Sequence, residues 1–181
     1  MNDFNIDNFI KDIFNNIKID KSNYTDREAT IAIKKALIDV AEKYNLISRC
    51  NIYDEEYKNN YKKELLYDII IHTSKEDYIL DEVFLVGESE LQKDWDKILE
   101  DFEKLLFARA KVRLMVYQVY NSDEYEEYID ELINIVEKSS SCIKGDIYLF
   151  AVYNANINKW KIVKYVKGET SLSDDILNDR I

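Results

Sequence analysis

The sequence predicts a mixed α/β domain in which a central β-sheet is flanked by helices. Segments whose apolar residues recur every three or four positions, as in amphipathic helices, alternate with apolar runs of strand length. Several of these runs are apolar at successive positions, which is typical of strands covered on both faces. The chain of 181 residues fits one domain over 1–181. The predicted order of elements is α-α-(β)-β-β-α-β-α-β-β.

The N-terminal part predicts two helices and a short strand. Asp7 is expected to cap the first helix, whose apolar residues follow at helical spacing. Thr25 and Glu28 form the pattern of a capping box, in which the hydroxyl accepts from an early amide and the carboxylate reaches back to the cap. The second helix is therefore expected to begin at Thr25. A short strand is expected over residues 47–53.

Two apolar runs in the middle of the chain predict paired strands. The first, over residues 65–71, has Asp68 set among apolar neighbours, and the second ends in Glu88 and Glu90. The polar residues 72–77 between the runs predict a turn, so we expect the two strands to form an antiparallel hairpin.

The remainder of the chain continues the alternation of helices and strands. It predicts a helix over 91–110, a strand over 111–120, a helix from Ser122 to about residue 138, and strands over 146–153 and 159–166. The polar tail over 169–181 is expected to be weakly ordered.

Composition excludes several classes of protein. The first residues lack the basic and apolar regions of a signal peptide, and no stretch reaches the roughly 20 apolar residues of a membrane span. Cys50 and Cys142 are isolated and the chain has one histidine, so neither a disulfide framework nor a zinc site is indicated. We therefore expect a cytoplasmic protein without a membrane segment.

The charge of the chain bears on its partners. A formal charge of −11 disfavours nonspecific nucleic-acid binding, which depends on Lys and Arg at the phosphates. A nucleic acid stays a candidate partner, because net charge does not exclude a local basic strip, although none stands out in the sequence. The alternative is a protein partner, including a basic protein attracted by the acidic surface.

Three carboxylates are the strongest candidates for a functional site. Glu88 and Glu90 are two residues apart on one predicted strand, so their side chains are expected on the same face. If the hairpin forms, Asp68 can share that face. Two carboxylates about 5 Å apart repel by roughly 3 kcal/mol at an effective dielectric of about 20. The cluster must then be protonated, neutralised by Lys or Arg, or occupied by a cation, and its oxygen ligands suit Mg²⁺ or Mn²⁺.

These residues resemble the restriction-endonuclease-like, or PD-(D/E)xK, superfamily, whose core carries an Asp on one strand and (D/E)-x-K on the next. Asp68 in LLYDIII and Glu88-x-Glu90 on the next predicted strand carry the resemblance. The following DFEKLL segment, which contains Lys104, is similar to an uncharacterised bacterial branch with an ExE…DFxKLL pattern. The similarity covers about residues 64–120.

The resemblance implies a metal-dependent nuclease that hydrolyses phosphodiester bonds with Mg²⁺ or Mn²⁺ held by Asp68, Glu88 and Glu90. Glu90 stands where the motif has a lysine. In some members that lysine lies on the following helix, and Lys104 is the candidate here. Glu64, four residues before Asp68, would join the acids if the strand extends that far. The implied catalytic set is therefore Asp68, Glu88, Glu90 and Lys104.

Each of these residues also has a purely structural interpretation. Asp68 would be a buried acid paired with Arg or Lys, and Glu88 and Glu90 would be solvated residues at a strand end. Lys104 would pair with a neighbouring acid on the helix surface. His72, the one histidine, is expected at the surface as the strand ends.

A second functional class therefore stays open beside the nuclease. A non-catalytic descendant of the same fold would act as a protein-interaction or immunity-like subunit. The acidic composition and the missing motif lysine favour this alternative. A homodimer is compatible with both functions.

Overall fold

Helices and strands follow one another in the order that the sequence predicts, with one further strand at the C-terminal end. The computed structural model describes residues 4–19, 21–52, 65–75, 79–169 and 173–175. Its elements are α1 (Ile6–Asn16), a 3-10 turn (Lys21–Asn23), α2 (Asp26–Lys43), β1 (Ile47–Cys50), β2 (Ile69–Ser74), β3 (Leu80–Glu90), α3 (Trp95–Leu106), β4 (Val112–Val119), α4 (Ser122–Lys138), β5 (Ile147–Asn154), β6 (Lys159–Val166) and β7 (Ser173–Asp175).

The sheet is mixed, as predicted. Neighbouring strands follow chain order from β1 to β7. The pair β4–β5 is parallel, whereas β1–β2, β5–β6 and β6–β7 are antiparallel. The chain divides into two compact units, Met1–Leu85 and Val86–Ile181, and β3 passes from the first into the second. The organisation of residues 1–181 as one domain stays a prediction.

In the first unit, local side chains fix where the helices begin. The capping box is confirmed, because Thr25 Oγ1 accepts from the Glu28 amide at 3.3 Å and Glu28 Oε2 accepts from the Thr25 amide at 2.8 Å. The predicted cap at Asp7 is wrong. Asn5 caps α1 instead, since its side chain accepts from the Asn8 amide at 3.0 Å and Asp7 falls in the first turn.

A carboxylate joins α1 to the end of α2. Asp12 accepts from the Lys43 ammonium at 2.7 Å and from the Tyr44 hydroxyl at 2.5 Å. These two bonds hold the pKa of the Asp12 carboxyl below its ordinary value of 3.8, and the bond from Lys43 has the larger effect. Burial and the bond to Asp12 raise the pKa of Tyr44 to about 12.

The polar stretch expected to turn between β2 and β3 begins later than predicted. Strand β2 continues through Ser74, so His72 faces β1 opposite Ile47 and is 1% exposed. The prediction that His72 lies at the surface is therefore wrong, because pairing with β1 extends the strand across it. The first residues of β3 lie beside the end of β2, where the Glu82 amide donates to Thr73 Oγ1 at 3.1 Å.

In the second unit, the two helices α3 and α4 cover one side of the parallel strands. Phe102 of α3 lies 5.8 Å from Phe150 of β5, and Tyr128 of α4 lies 6.5 Å from Tyr117 of β4. Every residue of β4 is buried. This burial on both faces is what the apolar run over 111–120 predicts, and it holds the start of β4 and the end of α3 in fixed positions.

The capping box of α2 contributes measurably to stability. Replacing Thr25 with Ala removes the hydroxyl that accepts from the Glu28 amide, so we expect the free energy of unfolding to fall by about 1 kcal/mol. Thr25→Ser keeps the hydroxyl and should stay within about 0.5 kcal/mol of the wild type. Urea denaturation measures both variants, and equal stabilities for Ala and Ser at this position would contradict the role of the cap.

The Asp12 contact makes stability depend on pH. Because its folded pKa lies below 3.8, the carboxylate stabilises the fold above that value, and the contribution is lost as the pH falls through the folded pKa. Asp12→Asn should destabilise the protein at pH 7 and lose less stability than the wild type between about pH 5 and pH 3. Urea denaturation across this range provides the test, with Asp39→Asn on the exposed side of α2 as control. Parallel curves for wild type and Asp12→Asn would refute the linkage.

Candidate functional site

Asp68 lies immediately before β2, which begins at Ile69. The prediction that Asp68 is embedded in the strand is thus wrong by one residue. The physical reason is the partner strand, because β1 ends at Cys50 and Cys50 is paired with Ile69, so Asp68 has no residue of β1 opposite it. Glu64, the further candidate acid, lies outside the described residues.

A buried lysine neutralises Asp68. Lys34 of α2 donates to Asp68 Oδ1 at 2.8 Å, and the two side chains are 8% and 22% exposed. An ammonium group is costly to bury unless a negative group and hydrogen bonds compensate for its lost hydration. The ion pair is the contact that the structural interpretation of Asp68 predicts.

Sequence reasoning missed Lys34, although the signal was present. Lys34 precedes Leu37, Ile38 and Ala41 by three, four and seven positions, which places it on the apolar stripe of α2. All four residues are buried. A lysine at such a position requires an acidic partner, and helical spacing therefore identifies a buried cation even where it does not identify the partner.

Glu88 and Glu90 lie at the end of β3, in the second unit. Two residues apart on one strand, they share a face by the alternation of side chains. Glu88 is 4% exposed, so its carboxylate belongs to the interior and is not a solvated residue at a strand end. Glu90 is half-buried, and its Oε1 accepts from the Gln92 amide at 2.6 Å. The chain therefore presents one interior carboxylate and one nearer to solvent.

Lys104 reaches Glu88 from the next helix. Its ammonium lies 3.7 Å from Glu88 Oε1 and 2.6 Å from Asp101 Oδ1, and the lysine side chain is 44% exposed. If Lys104 has only a structural role, it is expected to pair with a neighbouring acid such as Asp101. If it replaces the lysine of the nuclease motif, it must also approach Glu88. Both contacts occur, so a single ammonium lies between the half-buried Asp101 and the interior Glu88.

The donor chemistry of this strand end fits a hard divalent cation. Glu88 and Glu90 offer carboxylate oxygens, and Mg²⁺ in proteins is commonly held by one or two carboxylates, with water and phosphate oxygens completing six ligands. Within the parts of the chain that the structure describes, no three His, Cys, Asp or Glu side chains form a metal-binding group. The set of Asp68, Glu88 and Glu90 therefore stays a prediction.

A second buried polar cluster lies in the same unit and has a structural role. Arg113 of β4 donates to the carbonyls of Ala108 at 2.7 Å and Ala110 at 3.1 Å, and it lies 3.2 Å from Asp146 Oδ1. Its guanidinium thereby fixes the loop between α3 and β4. The apolar run over 111–120 predicts a buried strand but does not identify the partners of Arg113, because these lie in the preceding loop and at Asp146.

Cys142 is a packed thiol near this cluster. It is buried, and its Sγ lies 3.0 Å from the hydroxyl of Tyr148. Burial raises the pKa of Tyr148 above its ordinary value of 10.0. Cys142 is therefore part of the packed interior of this unit.

Comparison with known proteins does not assign the chain to a family or a function. Neither protein-family models, nor curated proteins, nor solved structures gave a match to the chain. Within the described ranges, no helix is long and apolar enough to cross a bilayer. The function must therefore be argued from the residues and contacts themselves.

The ion pair of Lys34 and Asp68 can be measured directly. Lys34→Met and Asp68→Asn should each lower the free energy of unfolding by about 1–3 kcal/mol, because one partly buried charge loses its counter-charge. The double variant should lose less than the sum, with a coupling of about 1 kcal/mol. Lys43→Met on the same helix, about 13 Å away along its axis, is the control and should combine additively with Asp68→Asn. Additivity for the Lys34 pair would show that the contact contributes nothing.

Proposed function

We propose that this protein is a metal-dependent nuclease with a restriction-endonuclease-like core, which hydrolyses phosphodiester bonds at the end of β3. One observation carries the proposal. The ammonium of Lys104 lies 3.7 Å from the buried carboxylate of Glu88. This is the contact expected if the lysine of the PD-(D/E)xK pattern has moved from the strand position, occupied by Glu90, to the following helix.

The residues at this strand end would have different roles in catalysis, according to how exposed each side chain is. Glu88 is held in the interior and would supply a fixed oxygen ligand, while Glu90 would supply a second one nearer to the substrate. Lys104 is exposed enough to contact a phosphate, and its positive charge would stabilise negative charge that develops on the phosphoryl oxygens. When bound, Mg²⁺ or Mn²⁺ polarises a phosphoryl oxygen and lowers the pKa of a coordinated water.

A second candidate function is supported by the ion pair of Asp68 with Lys34. In the predicted site Asp68 is a metal ligand, but here its charge is already compensated by an ammonium at 2.8 Å. A chain that neutralises this acid internally suits a non-catalytic protein with the same core, which would act as a protein-interaction or immunity-like subunit. The formal charge of −11 favours a basic protein as its partner.

Cleavage of labelled oligonucleotides tests the nuclease. We expect the wild type to cut single-stranded DNA, duplex DNA or RNA in the presence of Mn²⁺ or Mg²⁺ and to lose activity with EDTA. Lys104→Met and Glu88→Gln should each slow cleavage by about 100-fold or more, because each removes a charge from the reacting centre. Lys97→Met is the matched control, since Lys97 lies on α3 and donates to Gln92 rather than to Glu88.

The two candidate functions give opposite results in the same assay. If the wild type leaves all three substrates intact, or if Lys104→Met cuts at the rate of the Lys97→Met control, the nuclease proposal fails. In the absence of cleavage, a melting temperature that Mn²⁺ does not change would favour the non-catalytic alternative.

A further inference from the structure

An aromatic ring protrudes from the end of α3, close to Lys104. Phe107 is 72% exposed, compared with 50% for Tyr120 and 44% for Tyr24. It is the C-cap residue of the helix and follows Lys104 by three positions. Residues three apart on a helix lie on the same side, with Cβ atoms about 5–6 Å apart. The side chains of Phe107 and Lys104 therefore leave the end of α3 on the same side.

Two cations continue the surface beyond this ring. Side chains alternate after the helix: Phe107, Arg109 and Lys111 are exposed, whereas Ala108 is buried and Ala110 is half-buried. Residues 107–111 contain no acid. Together with Lys104, the three exposed residues form a surface that we call the Phe107 surface.

The backbone beneath this surface is held in place. The buried guanidinium of Arg113 donates to the carbonyls of Ala108 and Ala110, the two residues that alternate with the exposed ones. Asp146 compensates its charge at 3.2 Å. The outward direction of Phe107 and Arg109 is thus built into the fold and costs little further ordering when a ligand binds.

We propose that the Phe107 surface binds single-stranded nucleic acid, with the ring of Phe107 stacked on a base and Lys104, Arg109 and Lys111 near the phosphates. The inference rests on the proposed function, because it places the strand next to Glu88. Aromatic rings and cations are the groups with which proteins bind single strands. Bases inside a duplex already stack on one another, so a protruding ring stacks on an unpaired or terminal base without the cost of separating a base step.

Part of the acidic charge of the chain lies outside the Phe107 surface. The charge that gives the chain its net value of −11 lies partly on α4, whose exposed acids include Asp123, Glu126, Glu127, Asp130 and Glu131. Binding to phosphates depends on the local cations, and at moderate salt exposed charges act over about 10 Å. The Phe107 surface supplies such cations together with the ring.

Fluorescence anisotropy with a labelled thymidine oligonucleotide tests the proposal, with EDTA present so that binding is measured without cleavage. We expect Phe107→Ala to weaken binding by about 10-fold, and Phe107→Trp, which keeps an aromatic ring, to bind like the wild type. Arg109→Ala should weaken binding and reduce its dependence on salt. The control is Ile143→Ala, since Ile143 is 68% exposed but has no ring to stack.

Each outcome either supports or overturns the inference. Unchanged affinity in Phe107→Ala, no binding by the wild type, or equal loss of duplex and single-strand binding would overturn it. Phe107-dependent binding to vesicles containing phosphatidylserine, without oligonucleotide binding, would instead assign the surface to a membrane. Cleavage that does not depend on Phe107 would overturn this inference and leave the nuclease intact. Conversely, Phe107-dependent binding without cleavage would support the surface and contradict the nuclease.

Discussion

The described structure depends on one constraint: a charged side chain is buried only where an opposite charge lies beside it. Three of the buried charged groups show it between distant segments: Lys34 pairs with Asp68, Glu88 with Lys104, and Arg113 with Asp146. Each pair joins a helix or a loop to a strand or its end, so the charges also determine how these elements meet. Unpaired, any one of them would carry a desolvation cost that is large against the total stability of a domain.

The same rule gives the chain its functional ambiguity. A cluster of acids can be neutralised by lysines or by a metal ion. In this chain Lys34 and Lys104 each form an ion pair with one acid of the predicted site. Lys34 is buried with its partner and behaves as a structural group. Lys104 is different, because it remains exposed while it contacts the interior acid, and exposure is what a residue needs if it is to meet a substrate. The nuclease proposal therefore rests on Lys104 and the non-catalytic alternative on Lys34.

The packing of the helices on the parallel strands determines where Lys104 and Phe107 lie. Because β4 is buried along its whole length and Arg113 ties its start to the preceding loop, α3 ends at a fixed position. That end carries Lys104 toward Glu88 and leaves Phe107 in solvent. A catalytic contact and a binding surface would then be neighbours for the same reason, which is the packing of one helix on one strand.

The sequence by itself determined the α/β class, the order of the elements, the capping box at Thr25 and the bounds of β6, because apolar periodicity and caps act between residues that are close in the chain. It also singled out Glu88 and Lys104, though only as residue types at motif spacing. The tertiary structure alone decided that Asp68 precedes its strand, that His72 is buried, and that Lys34 is the partner of Asp68. These depend on contacts between distant segments, since Lys34 and Asp68 are 34 residues apart, and local patterns carry no information about which segments pack together.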